Sequence, residues 1–428
     1  MRTLLSTLLG LTVASFTLHA DNWPCFRGPT RQGQSSETGL PLHWSATSNV
    51  LWRTAIPGEA WSSPIVWGDR VFVTTATDNG FSLCLLCLDR KSGQVVWNRE
   101  VFQQKPSRKE GKNSYATPTP ICDGQHVYVV FGDGSFAALT LDGVVAWSNR
   151  EVKFYSRHGL GASPILHGDL LIMPIDWSTP VDAPGIYPKV SDEERTGWQL
   201  PWDKSFVRAL DKRTGKEVWR GPRGMSRIAH VTPNVWTGAD GRAEIISGAG
   251  DVIQGFDPKT GERLWTVRSR GEGVVPSMVL GEGLAFTVSG FEATTIRAVR
   301  PGGKGDVTAS QLVWEQKKGA PTLASLVYAK PHLFAVTDGG IVTCLKAASG
   351  DIVWQERLGS SGFSASPVVA DGRLYILSEN AETFVVPADG EFKVLARNPL
   401  GEKCQASMAV SQKQLFIRTA KSLFCIAE

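Results

Sequence analysis

One set of polar and aromatic residues recurs at a single kind of place in this sequence, in short stretches just ahead of apolar, β-type runs. They are Glu59 and Trp61, then Lys112, Asn113 and Tyr115, then Arg157 and His158, then Arg227 and His230, and finally Glu272 and Gln405, with Phe363 at the same place in a further stretch. If the fold brings them together, Lys112, Arg157 and Arg227 would pair with an anionic ligand through charge-assisted hydrogen bonds, and His158 or His230 would move a proton. The same residues would equally solvate a water-filled channel and satisfy loop backbone. No nucleophile, base and orienting group stand in a recognisable arrangement, so no residue is assigned a catalytic role. Cys84-Leu-Leu-Cys87 invites a zinc or redox reading. In a strand, however, residues three apart point to opposite faces, so the two sulfurs diverge and a small buried thiol is the expectation, with no metal site. Gly302-Gly303-Lys304-Gly305 lacks the strand-to-helix setting of a phosphate loop, and His126 and His167 fall in turns, as surface residues.

The elements that must position these residues are repeated hairpins. Leu88-Asp89-Arg90-Lys91-Ser92-Gly93-Gln94-Val95-Val96-Trp97 is one copy, and parallel copies end at Trp219, Trp265 and Trp354, with looser ones ending at Trp147, Trp314 and Leu395. Asp and Ser/Thr bond the turn's own backbone, Gly supplies a positive φ, and the flanking β-branched residues favour a pleated strand. Upstream of each hairpin lies a second unit, a small residue and Pro leading a strand, a turn and another apolar strand. Ser63-Pro64, Thr119-Pro120, Ser163-Pro164 and Ser366-Pro367 head clear copies, and diverged ones begin near Thr232, Pro276, Ser325 and Ser407. That makes eight starts, each heading a four-stranded antiparallel sheet of the length of a propeller blade.

The last copy stops at Leu423-Phe424-Cys425-Ile426, where an outer strand should follow. That strand is present at the other end, as Asn49-Val50-Leu51-Trp52. The prediction is an all-β, eight-bladed propeller over residues 49–428, closed by pairing of the N-terminal strand with the last blade, after an N-terminal extension over 21–48. The tryptophans ending the hairpins should pack between neighbouring sheets. An insertion over 174–205 separates the second and third strands of the third blade and should roof the face on which the polar residues above converge. Its Trp177, Trp198 and Trp202 lie outside the repeat, suited to stacking on a sugar or peptide or to covering the blade top.

Composition narrows the classes. The 428 residues include 45 Lys+Arg against 41 Asp+Glu, a formal charge of +4 with no basic block, which gives little field for a nucleic-acid backbone or an anionic membrane. Met1-Arg2, the apolar run from Leu4 to Leu18 and the following Ala20 have the layout of a cleavable secretory signal over 1–20, with cutting after Ala20 or after Ser15. No other window is long and apolar enough to span a bilayer, and Cys25 lacks the context of a lipid anchor. A periplasmic or secreted protein with no membrane span is expected. Seven cysteines, an odd number, leave at least one unpaired within the chain.

The hairpins ending on Trp, with the opening Asn22-Trp23-Pro24-Cys25-Phe26-Arg27-Gly28-Pro29, resemble the PQQ-like β-propeller repeat of exported bacterial proteins, including BamB and the quinoprotein alcohol dehydrogenases. The resemblance covers nearly all of the chain beyond its leader. It implies a propeller that acts either as a non-catalytic platform for a protein or envelope component, or as a redox protein holding PQQ with calcium, or another anionic ligand, in its central funnel. The dehydrogenases' adjacent Cys-Cys pair is absent here, so the platform is the leading expectation and no cofactor is expected. A carbohydrate-binding module is a third reading.

Overall fold

The computed structural model describes residues 22–428 apart from 108, 153, 155, 157, 177–203, 225, 272 and 292. The segment 1–20, expected to be a leader, and Trp177, Trp198 and Trp202 therefore lie outside the described residues. Eight antiparallel sheets surround a central channel, and among the described residues helix is confined to two single turns. The first sheet runs from the channel outward as Ile65–Trp67, Arg70–Thr77, Ser82–Asp89 and Val95–Gln103. Its turn chemistry is that of the repeat: the Asp89 carboxylate accepts hydrogen bonds from the backbone N–H of Lys91 and Ser92 and from Ser92 Oγ. Asp211 and Asp257 do the same in their own turns. Among the described residues no helix is long and apolar enough to cross a membrane.

Closure occurs where the sequence places it. Val50–Ala55 pairs antiparallel with Ser422–Ile426, with Val50 opposite Ile426, Trp52 opposite Cys425 and Ala55 opposite Ser422. One sheet gains a fifth strand: Gly305–Asp306 lies parallel to the outer strand Arg263–Arg268, with Gly305 beside Trp265. The long connection after Ile296–Val299 folds back on the preceding blade, where Arg268 Nε donates to the Asp306 carboxylate at 3.1 Å.

Neighbouring sheets are joined at two radii. On the outside, an indole N–H reaches the turn of the next blade: Trp52 donates to the Arg90 carbonyl, Trp97 to Leu141, Trp147 to Lys212, Trp219 to Pro258, Trp314 to Ala347 and Trp354 to Gly390, all within 2.8–3.0 Å. The indole of Trp52 lies flat on Gly93, where an added Cβ would stand 2.4 Å from the ring on a backbone with φ of 71°. Glycine is thus demanded there both by the turn and by the indole. Trp265, beside the extra strand, instead donates to Glu244 of its own sheet.

On the inside, at seven of the eight junctions, the Ser or Thr heading an inner strand uses its backbone N–H to bond the side-chain hydroxyl of its counterpart in the next blade. Ser63 donates to Thr119 Oγ1, Thr119 to Ser163, Ser163 to Thr232, Thr232 to Ser277, Ser277 to Ser325, Ser325 to Ser366 and Ser366 to Ser407, at 2.9–3.0 Å.

The segment ahead of the ring closes one end of the channel. Trp23 exchanges two backbone hydrogen bonds with Val66, the Pro24 carbonyl accepts from Cys122, Gln34 Nε2 donates to Tyr328, and Gly33 and Ser35 bond Val369 from either side. These contacts reach inner strands on opposite sides of the ring, so residues 22–37 form a plug. Inside it, Arg27 Nη2 donates to the carbonyls of Leu326 at 2.5 Å and Gln32 at 2.7 Å. Burial without a carboxylate lowers the Arg27 pKa to about 9.

All seven cysteines are buried free thiols. Cys84 packs toward the seam sheet and Cys87 toward the second blade, the divergence expected of strand residues three apart. The insertion is rooted by a buried ion pair: Arg223 Nε and Nη2 grip the two Asp176 oxygens at 2.6 and 3.2 Å, and Arg223 also donates to Ser247 and Gly248 of the next blade.

Two outcomes are expected in chemical denaturation. Trp52→Ala removes a buried indole from the seam and should cost about 3–5 kcal/mol, whereas Leu51→Ala, on the exposed side of the same strand, should stay within about 0.5 kcal/mol. Arg223→Met leaves the Asp176 carboxyl buried without its partner, and a loss of about 3–5 kcal/mol is expected.

Candidate functional site

The channel end opposite the plug opens into a cavity of about 660 Å³. Its wall is built by the connections that lead into the inner strands, its waist by the ring of hydroxyls from Ser63 to Ser407, and its floor by Phe26 of the plug. Six of the residues picked out by position meet there: Trp61, Lys112, Asn113, His158, His230 and Gln405. Glu110, Asp338 and Phe291 join them without having been anticipated.

The charges of this funnel are largely used within the chain. Lys112 reaches from the first inter-blade connection to Glu379 in the seventh blade, 3.4 Å away, and Glu379 also accepts a hydrogen bond from Ser364. Asp338 is occupied by the backbone N–H groups of Thr322 and Leu323 at 3.2 Å and by the Thr322 hydroxyl. Arg227 does not line the cavity. It is buried against Asp251, donating from Nη1 at 3.1 Å and from its backbone N–H at 3.0 Å, while burial raises the Asp251 pKa. Glu59 also stands off the cavity, in an exposed pair with Lys109 at 3.5 Å. Tyr115 turns away to donate to the Ser107 carbonyl, and Phe363 is core, packed on Phe384. Arg157 and Glu272 lie outside the described residues.

The two histidines do come together. Their rings meet edge to face with centroids 6.2 Å apart, and the Glu110 carboxylate is 3.9 Å from His158 Nδ1. Desolvation, with His158 as a like charge beside it, lowers the His230 pKa to about 3, so His230 is neutral at physiological pH. Asn113 is a structural brace whose amide donates to the His158 carbonyl at 2.7 Å and whose oxygen accepts from Ser114 and Thr117. Buried polar atoms without a partner remain on Trp61 Nε1, Gln405 Nε2 and His230 Nδ1.

A model of the family described as outer membrane protein assembly factor BamB matches residues 35–100, 83–178, 203–300 and 292–396. The chain belongs to that family. No curated protein sequence matches it significantly. Among solved structures it is similar to BamB from Moraxella catarrhalis, with a TM-score of 0.59, 13% identity, and coverage of 89% of this chain and 97% of that one. It is similar also to a europium-containing methanol dehydrogenase, with a TM-score of 0.64, 12% identity, and coverage of 95% and 98%. A quinohemoprotein alcohol dehydrogenase from Pseudomonas putida HK5 follows at a TM-score of 0.61, 10% identity, and coverage of 95% of this chain and 80% of that one. At these identities the likeness is one of fold.

The quinoprotein resemblance raises the question of whether this donor set fits PQQ and a calcium ion. Such a ligand needs uncommitted cations for its carboxylates and grouped carboxylates for the metal. Among the described residues, Lys112 and Arg227 are each paired with an acid of the chain, and no three His, Cys, Asp or Glu side chains are grouped to hold a metal ion. The described residues do not fit the group.

The depressed His230 pKa makes stability depend on pH in a definite direction. The unfolded chain takes up a proton near the ordinary histidine value of 6.5 while the folded one resists to about 3. His230 therefore contributes a stability that is full above about pH 6.5 and is lost progressively as pH falls below it. Melting temperatures recorded from pH 7.5 to 4.5 should fall less steeply for His230→Asn than for the parent protein.

Proposed function

We propose that this protein is an exported, non-catalytic binding platform that engages an envelope component through the loop-bearing end of its ring, opposite the plug. The observation that carries this reading is the state of the funnel's polar groups. Its Lys112 and the adjacent Arg227 are paired with Glu379 and Asp251, while the buried groups left without a hydrogen-bond partner on its lining, on Trp61, Gln405 and His230, are uncharged. A surface of that kind suits recognition of a ligand by hydrogen bonds more than stabilisation of a charged transition state. The platform is also stiff, since most blades are bonded to the next at an inner and an outer radius and the ring is locked by its own first strand. Membership of a family described as an assembly factor agrees with a partner drawn from the envelope, and the signal-like layout of residues 1–20 in the sequence supports export.

A second reading, a redox protein using the funnel, is favoured by the juxtaposed His158, His230 and Glu110 and by the likeness in fold to the methanol dehydrogenase. The two readings separate in one experiment. Purified protein incubated with PQQ and calcium and then desalted should retain no chromophore and show no thermal shift. A photo-crosslinking residue at position 291 should capture an envelope component that one at position 92, on the plugged side, does not. Retention of PQQ at micromolar concentration, lost in Lys112→Ala, would replace the platform with the redox reading.

A further inference from the structure

We propose that the funnel is an end-on binding site for a neutral, polyhydroxylated ring ligand, the chemistry of a glycan terminus. The proposal rests on the platform reading and names what the open end of the ring holds.

The lining argues by elimination first. A strongly anionic ligand would find Lys112 already facing Glu379 and the Glu110 carboxylate on the same lining, and a cation without acceptors would leave the Trp61 Nε1 and Gln405 Nε2 donors unmet. A purely apolar ligand would leave Trp61 Nε1, Gln405 Nε2 and His230 Nδ1 buried without partners, each at the cost of an unmade hydrogen bond. What remains is a ligand that is uncharged and carries both donors and acceptors around its edge.

The waist of the funnel has that same dual character. Each ring hydroxyl from Thr119 onward accepts one backbone N–H from the preceding blade, and this leaves its own O–H and a second lone pair. A polyol matches such a ring because each of its hydroxyls both gives and takes a hydrogen bond. Aromatic faces supply the other half of the recognition. Phe26 forms the floor and Phe291 stands at the cavity edge with 41% of its surface exposed, one of the few large apolar side chains left in solvent. A sugar ring pairs an apolar C–H face with a polar rim, so it can stack on a ring such as Phe26 while its hydroxyls meet the waist.

The plug decides the mode of entry. Because residues 22–37 bond inner strands across the channel, a polymer cannot thread through. The site is blind, and a cavity of about 660 Å³ lies within the usual range for small-ligand sites. The ligand therefore enters by its terminus, whether that belongs to a free oligosaccharide or to an envelope polymer.

The test uses the full-length mature protein and a panel of neutral di- and trisaccharides of gluco, manno, galacto and N-acetylglucosamine type, read by isothermal titration calorimetry and saturation-transfer NMR. Binding of at least one panel member is expected, weakened about tenfold in Gln405→Leu and in Phe26→Ala, with Trp61→Phe keeping the ring but losing its N–H and falling between them and the parent. Val96→Ser, on the outer rim, should bind as the parent does. Circular dichroism melts identify any variant that fails to fold, and Gln405→Glu, which keeps the size of the side chain, provides a second probe of the same position. Sedimentation with an insoluble polysaccharide, competed by the soluble panel, distinguishes a polymer end from a free oligosaccharide. No binding by any panel member at 10 mM, or binding unchanged in Gln405→Leu and Phe26→Ala, overturns the glycan proposal while leaving the platform reading intact. Capture of an extended peptide at the funnel, competed by no saccharide, would overturn it in favour of a protein ligand. PQQ retention would remove the platform reading with it.

Discussion

One hydrogen bond, repeated around the channel, sets the geometry on which everything else depends: the backbone N–H at the head of an inner strand, donated to the hydroxyl of its counterpart in the next blade. It fixes the spacing between blades at the narrowest radius, where an error in angle would grow with distance from the axis. It also explains why the residue there is Ser or Thr and stays buried, since the hydroxyl satisfies a backbone group that would otherwise be stranded between sheets. The outer Trp contacts then act at a longer radius, filling the wedge between diverging sheets with an indole whose one polar atom reaches the neighbouring turn.

The same ring ties architecture to recognition. A hydroxyl that accepts one bond for the fold retains capacity for another toward the axis, so the part of the molecule that holds the blades in place is also the part that faces a ligand. The charged residues follow a different logic. Lys112 with Glu379 and Arg227 with Asp251 tie the connections to the blades, and Arg223 with Asp176 ties the root of the insertion to the next sheet. Cations that would look available in a linear reading are thereby consumed in positioning loops.

The fold was legible in the sequence because it is written many times over. Asp89, Ser92, Gly93 and Trp97 each do a local job whose chemistry is readable from residue type, and several copies of that unit leave little freedom for another architecture. The missing outer strand after Ile426 was equally readable, since a sheet edge without a partner is a deficit that Val50–Ala55 alone could fill. The site was legible only in outline. Position along the repeat found Trp61, His158, His230 and Gln405, yet it could not distinguish Lys112, which faces the cavity, from Arg227, which is turned into a buried pair, because that depends on side-chain direction and on Asp251 far along the chain. The recurring Ser/Thr was noticed as a strand start, and its register was the signal that could have revealed the hydroxyl ring. Phe26 was hidden for another reason: nothing local says that residues ahead of a ring fold back beneath it. The extra strand Gly305–Asp306 escaped likewise, its glycines reading as a loop with no stated destination.

The shared eighth sheet carries a consequence in time. Its outer strand, Val50–Ala55, precedes the other seven sheets in the sequence and its three inner strands follow them, so that sheet is completed only when the two ends of the ring meet. A copy that lacks Ser422–Ile426 is left as an arc with an exposed, adhesive flank, an easy mark for proteases, so pairing at this seam is a built-in check that both flanks of the ring are present.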